Sequence, residues 1–233
     1  MCFSAEVSFA SAAVLFPAGT FAILKAYRKD RRYVPFATLP LLFGLQQFFE
    51  GMVWISGRWS DPGWVQRFSL AYMFFSWLAW PVWVPYSTYF LEPCRRRQIY
   101  FLFAILGGMI GALQYVPYFA HEGWLVTTFL DRAISYQGTH LLDFIVPREF
   151  TYAMYLFVII APLVTSSIKE ANIFGYLVTF VVLVTFAFFQ FAYISVFCFG
   201  GAIMSLYIVN VTNRIGIRQA QPIDACEPEP GRF

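Results

Sequence analysis

Seven long apolar stretches separated by polar loops constrain this chain more than any other feature. A helix needs about 20 mostly apolar residues to cross the hydrocarbon core of a membrane. Stretches of suitable length occupy residues 7–27, 33–56, 68–91, 99–120, 150–166, 171–189 and 193–211. The last two form one nearly continuous apolar run, but a single helix of that length would be about twice as long as the membrane is thick. We therefore predict two helices with a bend near residues 190–193.

The composition supports a membrane protein. Hydrophobic residues make up 59% of the 233 residues and charged residues 12%, whereas soluble domains are about half apolar and about a quarter charged. A soluble chain of this size could not bury so much apolar surface. This excludes a soluble enzyme and a nucleic-acid-binding protein. The sequence predicts an all-α, polytopic bundle of seven transmembrane helices in a lipid bilayer.

The distribution of basic residues predicts the orientation of the bundle. Twelve of the 16 Lys and Arg residues lie in the last residues of span 1, in the loops after spans 1, 3 and 5, and in the C-terminal segment. Because short loops rich in Lys and Arg remain cytoplasmic, we predict an outside N-terminus and an inside C-terminus. We expect residues 1–212 to form the membrane domain, with the first span retained, and residues 213–233 to form a disordered cytoplasmic tail.

The one long loop, residues 121–148, lies on the predicted outer side. It is too polar to cross a membrane but still contains several large apolar residues. Such a loop usually packs on something at the surface. Two structures fit this pattern: a hairpin turning near residues 137–138, or a helix lying in the membrane interface. Either would cap the outer mouth of the bundle.

Glu50 is the most prominent ionisable residue within a predicted span. Gln46 and Gln47 precede it by one helical turn, which makes one polar stripe on an otherwise apolar helix. Ionisable groups inside a membrane are costly and are therefore candidates for function. The alternative is a protonated carboxyl that only joins neighbouring helices by a hydrogen bond. In both cases we expect Glu50 to face the interior, within reach of a polar group from span 1, 4 or 7.

Polar residues of other spans fall at the same outer level as Glu50. Together they predict an outward-facing pocket that binds a ligand. Its candidate ligand-binding residues are Glu50, Gln46, Gln47, Gln114, Tyr115, Cys2 and Cys198. A metal site would use Cys2, Glu50 and His121, but the chain has only two histidines, so few suitable ligands could meet. No catalytic motif is present, and the sequence indicates no particular cofactor.

Small residues predict close helix packing at two places. Gly107 and Gly111 form a small-xxx-small pair in span 4. Ser195, Cys198 and Ser205 lie on a comparable face of span 7. Contact within the chain is the favoured interpretation, and a homodimer or another membrane partner is the alternative.

Several short motifs together resemble a known family. They are Met1-Cys2-Phe3-Ser4-Ala5, Leu39-Pro40-Leu41-Leu42-Phe43-Gly44-Leu45-Gln46-Gln47 followed by Glu50-Gly51 and Trp54, and Phe197-Cys198-Phe199. In these the chain is similar to an uncharacterised family of small bacterial multi-spanning proteins of the DUF6629 type. The resemblance implies a multi-pass protein of the bacterial inner membrane, and it supplies no activity.

Four functions remain open from the sequence. The first is a module that binds a small molecule, a lipid headgroup or an ion in the pocket around Glu50. The second is a proton- or ion-coupled transporter with Glu50 as the titrating group, although the spans lack matched broken helices. The third is an intramembrane enzyme using Glu50 and Cys2. The fourth is a structural subunit of a larger membrane complex.

Overall fold

The computed structural model describes residues 4–130, 133–138, 147–188 and 193–216. These residues are mostly helical, with one β-hairpin. In chain order the elements are α1 (Ala5–Lys29), a 3-10 turn (Arg31–Tyr33), α2 (Val34–Ala37), α3 (Leu39–Arg58), α4 (Pro62–Met73), a π-helical segment (Phe74–Ala79), α5 (Trp80–Leu91), α6 (Cys94–Ala120), β1 (Leu125–Leu130), β2 (Ala133–Gly138), α7 (Arg148–Val164), α8 (Lys169–Phe188) and α9 (Tyr193–Arg214).

Each predicted apolar stretch coincides with helical structure. In the part of the chain that the structure describes, four helices, α1, α6, α8 and α9, are long and apolar enough to cross a membrane. The π-helical segment joins α4 and α5 without a loop, so residues 62–91 form one helical column. The predicted bend lies between α8 and α9, and residues 189–192 are outside the described part of the chain, as is the predicted tail from residue 217.

Local signals explain where several helices begin. Ser4 caps α1 by accepting a hydrogen bond from the backbone N–H of Val7. Asp61 caps α4 by accepting from the N–H groups of Gly63 and Trp64. These side-chain oxygens satisfy N–H groups that have no partner inside the first helical turn.

Contacts between helix ends show how neighbouring helices are directed. Arg58 at the end of α3 contacts Glu6 at the start of α1, with 3.0 Å between Nη2 and Oε1. Lys29 at the end of α1 donates to the carbonyl of Asn213 near the end of α9, at 2.5 Å. Thus α3 is antiparallel to α1, and α9 is parallel to it.

Glu92 joins two loops at the end of the bundle where Lys29 lies. Its side chain is fully buried. Its carboxylate accepts hydrogen bonds from the Ser166 hydroxyl at 2.5 Å and from the Ser167 backbone N–H at 2.8 Å, and also from the Ser167 hydroxyl. The loop after α5 is thereby held to the loop after α7. The sequence did not predict this role, because Glu92 lies in a short polar loop where an exposed glutamate is ordinary.

The hairpin covers the opposite end of the bundle. Its strands are antiparallel, with Leu125 opposite Gly138 and Leu130 opposite Ala133. The hairpin alternative for the outer loop was therefore right, but the turn lies between Leu130 and Ala133 and not near residues 137–138. The physical reason is that Ile134 and Tyr136, two residues apart, point to the same face of a strand. Both are buried when residues 133–138 form the second strand, so the turn must come before this strand.

The buried face of the hairpin packs on three helices. Leu125, Ile134 and Tyr136 are buried against a cluster formed by Val53, Tyr72, Met73, Ile194 and Cys198. The rings of Tyr72 and Tyr136 stack with centroids 4.9 Å apart. The hairpin therefore closes the bundle over α3, α4 and α9.

Glycines of α6 allow its backbone to touch the column formed by α4, the π-helical segment and α5. A Cβ at Gly107 would lie 1.8 Å from the carbonyl oxygen of Pro81, and one at Gly111 would lie 2.7 Å from that of Trp77. This confirms the prediction of close contact within the chain at the small-xxx-small pair.

Two prolines explain why α6 approaches at those carbonyls. Pro81 and Pro85 lack an N–H, so the carbonyls of Trp77 and Pro81 lose the donor that an α-helix supplies four residues later. The glycines of α6 repeat at the same interval of four residues. Each glycine can therefore bring a Cα–H group to one of these carbonyls, which is a weakly favourable contact.

The glycine contact can be tested with neighbouring substitutions. We expect Gly107→Ala to lower the thermal unfolding temperature of the detergent-purified protein, because the added methyl group collides with backbone that cannot move aside. Gly108→Ala is the matched control, since its Cβ would meet Val82 at an ordinary 3.6 Å. Equal unfolding temperatures for the two variants would contradict the packing described here.

Candidate functional site

The polar stripe of α3 is turned into the protein interior. Gln46, Gln47 and Glu50 each have no solvent-exposed surface. Residues three and four apart share one face of a helix, and the hydrogen bonds of Gln46 and Glu50 show that this face meets the π-helical segment, α5 and α9. Buried polar groups need hydrogen-bond partners, and the structure provides them from neighbouring helices.

Glu50 is bound by one residue of its own helix and one of α9. The Ser195 hydroxyl donates to Oε1 at 2.6 Å, and Nε2 of Gln47 donates to Oε2 at 3.3 Å. The expectation that Glu50 faces the interior and meets a polar group of span 7 is confirmed. From sequence, Ser195 belongs both to the polar residues at the outer level of Glu50 and to a small face for helix packing, and the structure shows that it bonds directly to Glu50.

Gln46 extends the hydrogen bonding to the π-helical segment and α5. Its amide nitrogen donates to the Ser76 hydroxyl at 2.8 Å, and its oxygen accepts from the indole N–H of Trp80 at 3.0 Å. Ser76 in turn lies 3.4 Å from the sulfur of Cys198 on α9. We call the connected set the polar cluster; it comprises Gln46, Gln47, Glu50, Ser76, Trp80, Ser195 and Cys198.

A cavity of about 50 Å³ lies against the polar cluster. Ser76 and Cys198 belong both to the cluster and to the wall of this cavity, whereas Glu50 is not among the lining residues. The other lining residues come from the π-helical segment and from α6, α7, α8 and α9: Trp77, Gln114, Tyr152, Tyr155, Leu156, Val182, Thr185, Phe186, Tyr193, Ile194 and Phe197. The cavity therefore lies next to the predicted pocket and not around Glu50 itself. Ser76 and Cys198 separate Glu50 from the cavity.

Hydroxyl groups supply most of the polarity of the cavity wall. The Tyr155 hydroxyl donates to the backbone carbonyl of Ser76, and the hydroxyls of Tyr152 and Tyr193 form a hydrogen bond with each other. Thr185 differs from these residues, because its buried Oγ1 has no hydrogen-bond partner within the described ranges.

The remaining candidate residues lie at different places. Gln114 lines the cavity, and its role in ligand binding stays a prediction. Tyr115 instead packs edge-on against Phe74, with ring centroids 5.6 Å apart. His121 is exposed and stacks on Trp124 at 4.0 Å. Cys2 is outside the described residues.

The metal hypothesis stays a prediction. In the described part of the chain, no three residues among His, Cys, Asp and Glu lie close enough together to hold a metal ion. His121 is exposed while Glu50 is fully buried, and Cys2 is outside the described residues. The described contacts of Glu50 come from a hydroxyl and an amide, so they hold the carboxyl by hydrogen bonds.

Sequence reasoning missed Ser76, Trp80 and Thr185 as members of the site. Single Ser and Thr residues in apolar helices usually bond to their own backbone, as Thr179 does with Gly175 at 2.8 Å. They therefore carry no signal of their own. For Trp80, the only available signal was that a buried indole needs an acceptor for its N–H.

Comparison with known proteins supplies a family and no activity. The model of DUF6629, described as a family of unknown function, matches residues 1–223. The chain belongs to this family. No curated protein and no solved structure matches it.

Two substitutions at Glu50 separate the need for a hydrogen-bonding group from the need for a carboxyl. Glu50→Leu removes both acceptors, so the Ser195 hydroxyl and the Gln47 amide lose a buried partner, and we expect a loss of about 1–3 kcal/mol in the free energy of unfolding. Glu50→Gln keeps the shape and one acceptor oxygen, and we expect it to retain most of the stability.

The measurement is reversible unfolding in mixed micelles. Glu122→Leu serves as a control, because Glu122 is exposed. If Glu50→Leu were as stable as the unmodified protein, the hydrogen bonds around Glu50 would not be holding the helices together.

Proposed function

We propose that this protein crosses the bacterial inner membrane seven times and binds a small molecule in the cavity beside the polar cluster. Its N-terminus would lie outside and its C-terminus inside. In this arrangement α3, the column of residues 62–91 and α7 cross the lipid bilayer together with α1, α6, α8 and α9.

Contacts at the helix ends support alternating crossings. Glu6 meets Arg58 at one end of the bundle, and Lys29 meets Asn213 at the other. Glu92 and Ser166 also pair, after α5 and α7, as expected if two parallel helices finish on the same side. The end that carries Lys29 and Arg214 also has most of the basic residues, which favours the cytoplasm for that side.

The observation that carries the binding proposal is that the cavity and the polar cluster share a wall. Ser76 and Cys198 face the cavity and are linked by Gln46 to α3. The cluster therefore holds part of the wall in a fixed position, and pre-organised polar groups are what a binding site needs for specificity.

A proton-coupled transporter is the second candidate. The favouring observation is that one face of α9 contacts both Glu50 and the cavity. Ser195 on this face bonds to Glu50, and Cys198, one turn later, lines the cavity. A protonation change at Glu50 could then act on the cavity through α9. Under this alternative Glu50→Gln would leave ligand binding intact and abolish proton-linked uptake in proteoliposomes.

The orientation is testable with reporter fusions. Alkaline phosphatase is active only outside the cytoplasm, and green fluorescent protein fluoresces in the cytoplasm. We expect a fusion after residue 122 to be active as phosphatase and a fusion after residue 212 to fluoresce. Phosphatase activity of the fusion after residue 212 would contradict the seven crossings.

Binding is testable by native mass spectrometry of the purified protein. We expect a bound small molecule that is lost in Leu156→Trp, because the larger ring fills the cavity. Leu102→Trp is the matched control, since Leu102 is 58% exposed on the outer face of α6. Identical spectra for all three proteins, with no bound species, would contradict the proposal.

A further inference from the structure

We propose that the cavity takes an uncharged, mainly apolar molecule with one hydrogen-bonding head group, a hydroxyl or a carbonyl, and that Thr185 binds this head. The inference rests on the binding function proposed above and specifies the chemical class of the ligand. Three observations carry it: the charge of the lining, the state of Thr185 and the position of Phe186.

The lining, as far as the structure describes it, carries no charge that could balance a charged ligand. None of its thirteen residues is Asp, Glu, Lys, Arg or His, and six are Trp, Leu, Val, Phe or Ile. A charged head group would lose its hydration without gaining an opposite charge from the wall, and this disfavours its binding. An uncharged head group can be satisfied by the hydroxyl, amide and thiol groups present.

Thr185 is the lining residue that is prepared for such a head group. It is 2% exposed, and its hydroxyl has no partner in the residues that the structure describes. A buried hydroxyl that has no hydrogen-bond partner is destabilising. Thr179 on the same helix satisfies its hydroxyl on the carbonyl of Gly175. A ligand hydroxyl or carbonyl would supply the partner that Thr185 lacks.

Phe186 gives the direction in which the rest of the ligand extends. This residue lines the cavity and is also 39% exposed on the outer surface of the bundle. The cavity of about 50 Å³ has room for only about three to five water-sized groups, which fits a head group alone. The apolar body would pass beside Phe186 and lie along α8, where Leu183 is 65% exposed, in contact with lipid.

Three probes with the same tail test this assignment. They are 2-bromoundecanol, 2-bromoundecyl sulfate and 2-bromoundecyl trimethylammonium, which carry the bromine next to the head group, and they are added to the protein in phosphatidylcholine nanodiscs. Bromine quenches tryptophan fluorescence, and Trp77 lines the cavity. The part of the quenching that disappears in Trp77→Phe therefore measures probe bound in the cavity. We expect the alcohol to bind at least tenfold more tightly than either charged probe.

Thr185→Val tests the role of the hydroxyl, because valine keeps the shape of threonine. We expect about fivefold weaker binding of the alcohol, as loss of one hydrogen bond predicts, with no loss of thermal stability in the absence of probe. Thr179→Val is the matched control and should bind the alcohol like the unmodified protein. Unchanged alcohol binding in Thr185→Val would overturn the assignment of Thr185.

The probes also separate this inference from the function on which it rests. If a charged probe bound as tightly as the alcohol and Leu156→Trp abolished its binding, the cavity would be a binding site and the proposed ligand class would be wrong. If Leu156→Trp changed the binding of none of the probes, the binding function itself would be refuted.

Discussion

The hydrogen bond between Ser195 and Glu50 is the interaction on which the described arrangement of helices depends. A fully buried carboxyl has no water to satisfy it, so its hydrogen-bond partners must come from neighbouring side chains. Ser195 on α9 donates a hydrogen bond to one carboxylate oxygen of Glu50, and Gln47 on the same helix as Glu50 donates to the other. Since α3 also binds the π-helical segment and α5 through Gln46, one polar cluster fixes three parts of the bundle in a single register.

Prolines of α5 and glycines of α6 fix the position of α6, the fourth part of the bundle. Pro81 and Pro85 leave two carbonyls without their ordinary helical donor, and Gly107 and Gly111 let α6 approach those carbonyls. The π-helical segment ends one residue before the Trp80-Pro81 pair that begins α5. It carries Ser76, whose hydroxyl meets Gln46 on one side and Cys198 on the other. The same segment thus holds α6 and forms part of the cavity wall. A cavity built on such contacts has a defined shape before any ligand arrives.

Much of this architecture could be predicted because long apolar stretches and a few polar residues within them make a strong pattern in the sequence. The apolar stretches gave the helices, the cost of a buried carboxyl singled out Glu50, and the spacing of Gly107 and Gly111 gave a close contact. The turn of the hairpin was misplaced because both strands are short and the loop contains several polar residues where a turn could form. Thr185 and Glu92 could not be found from sequence, since one resembles an ordinary threonine in a helix and the other an ordinary loop glutamate. Their roles arise only from tertiary neighbours.

The central claim is that Glu50 and Ser195 hold α3 and α9 together by direct contact, and a double-mutant cycle tests it most directly. Glu50→Met, Ser195→Ala and the double variant would be unfolded reversibly in mixed micelles. Direct contact predicts that the effects of the two substitutions do not add, with a coupling free energy of about 1–2 kcal/mol. Strictly additive effects would show that the two residues do not interact and would contradict the account.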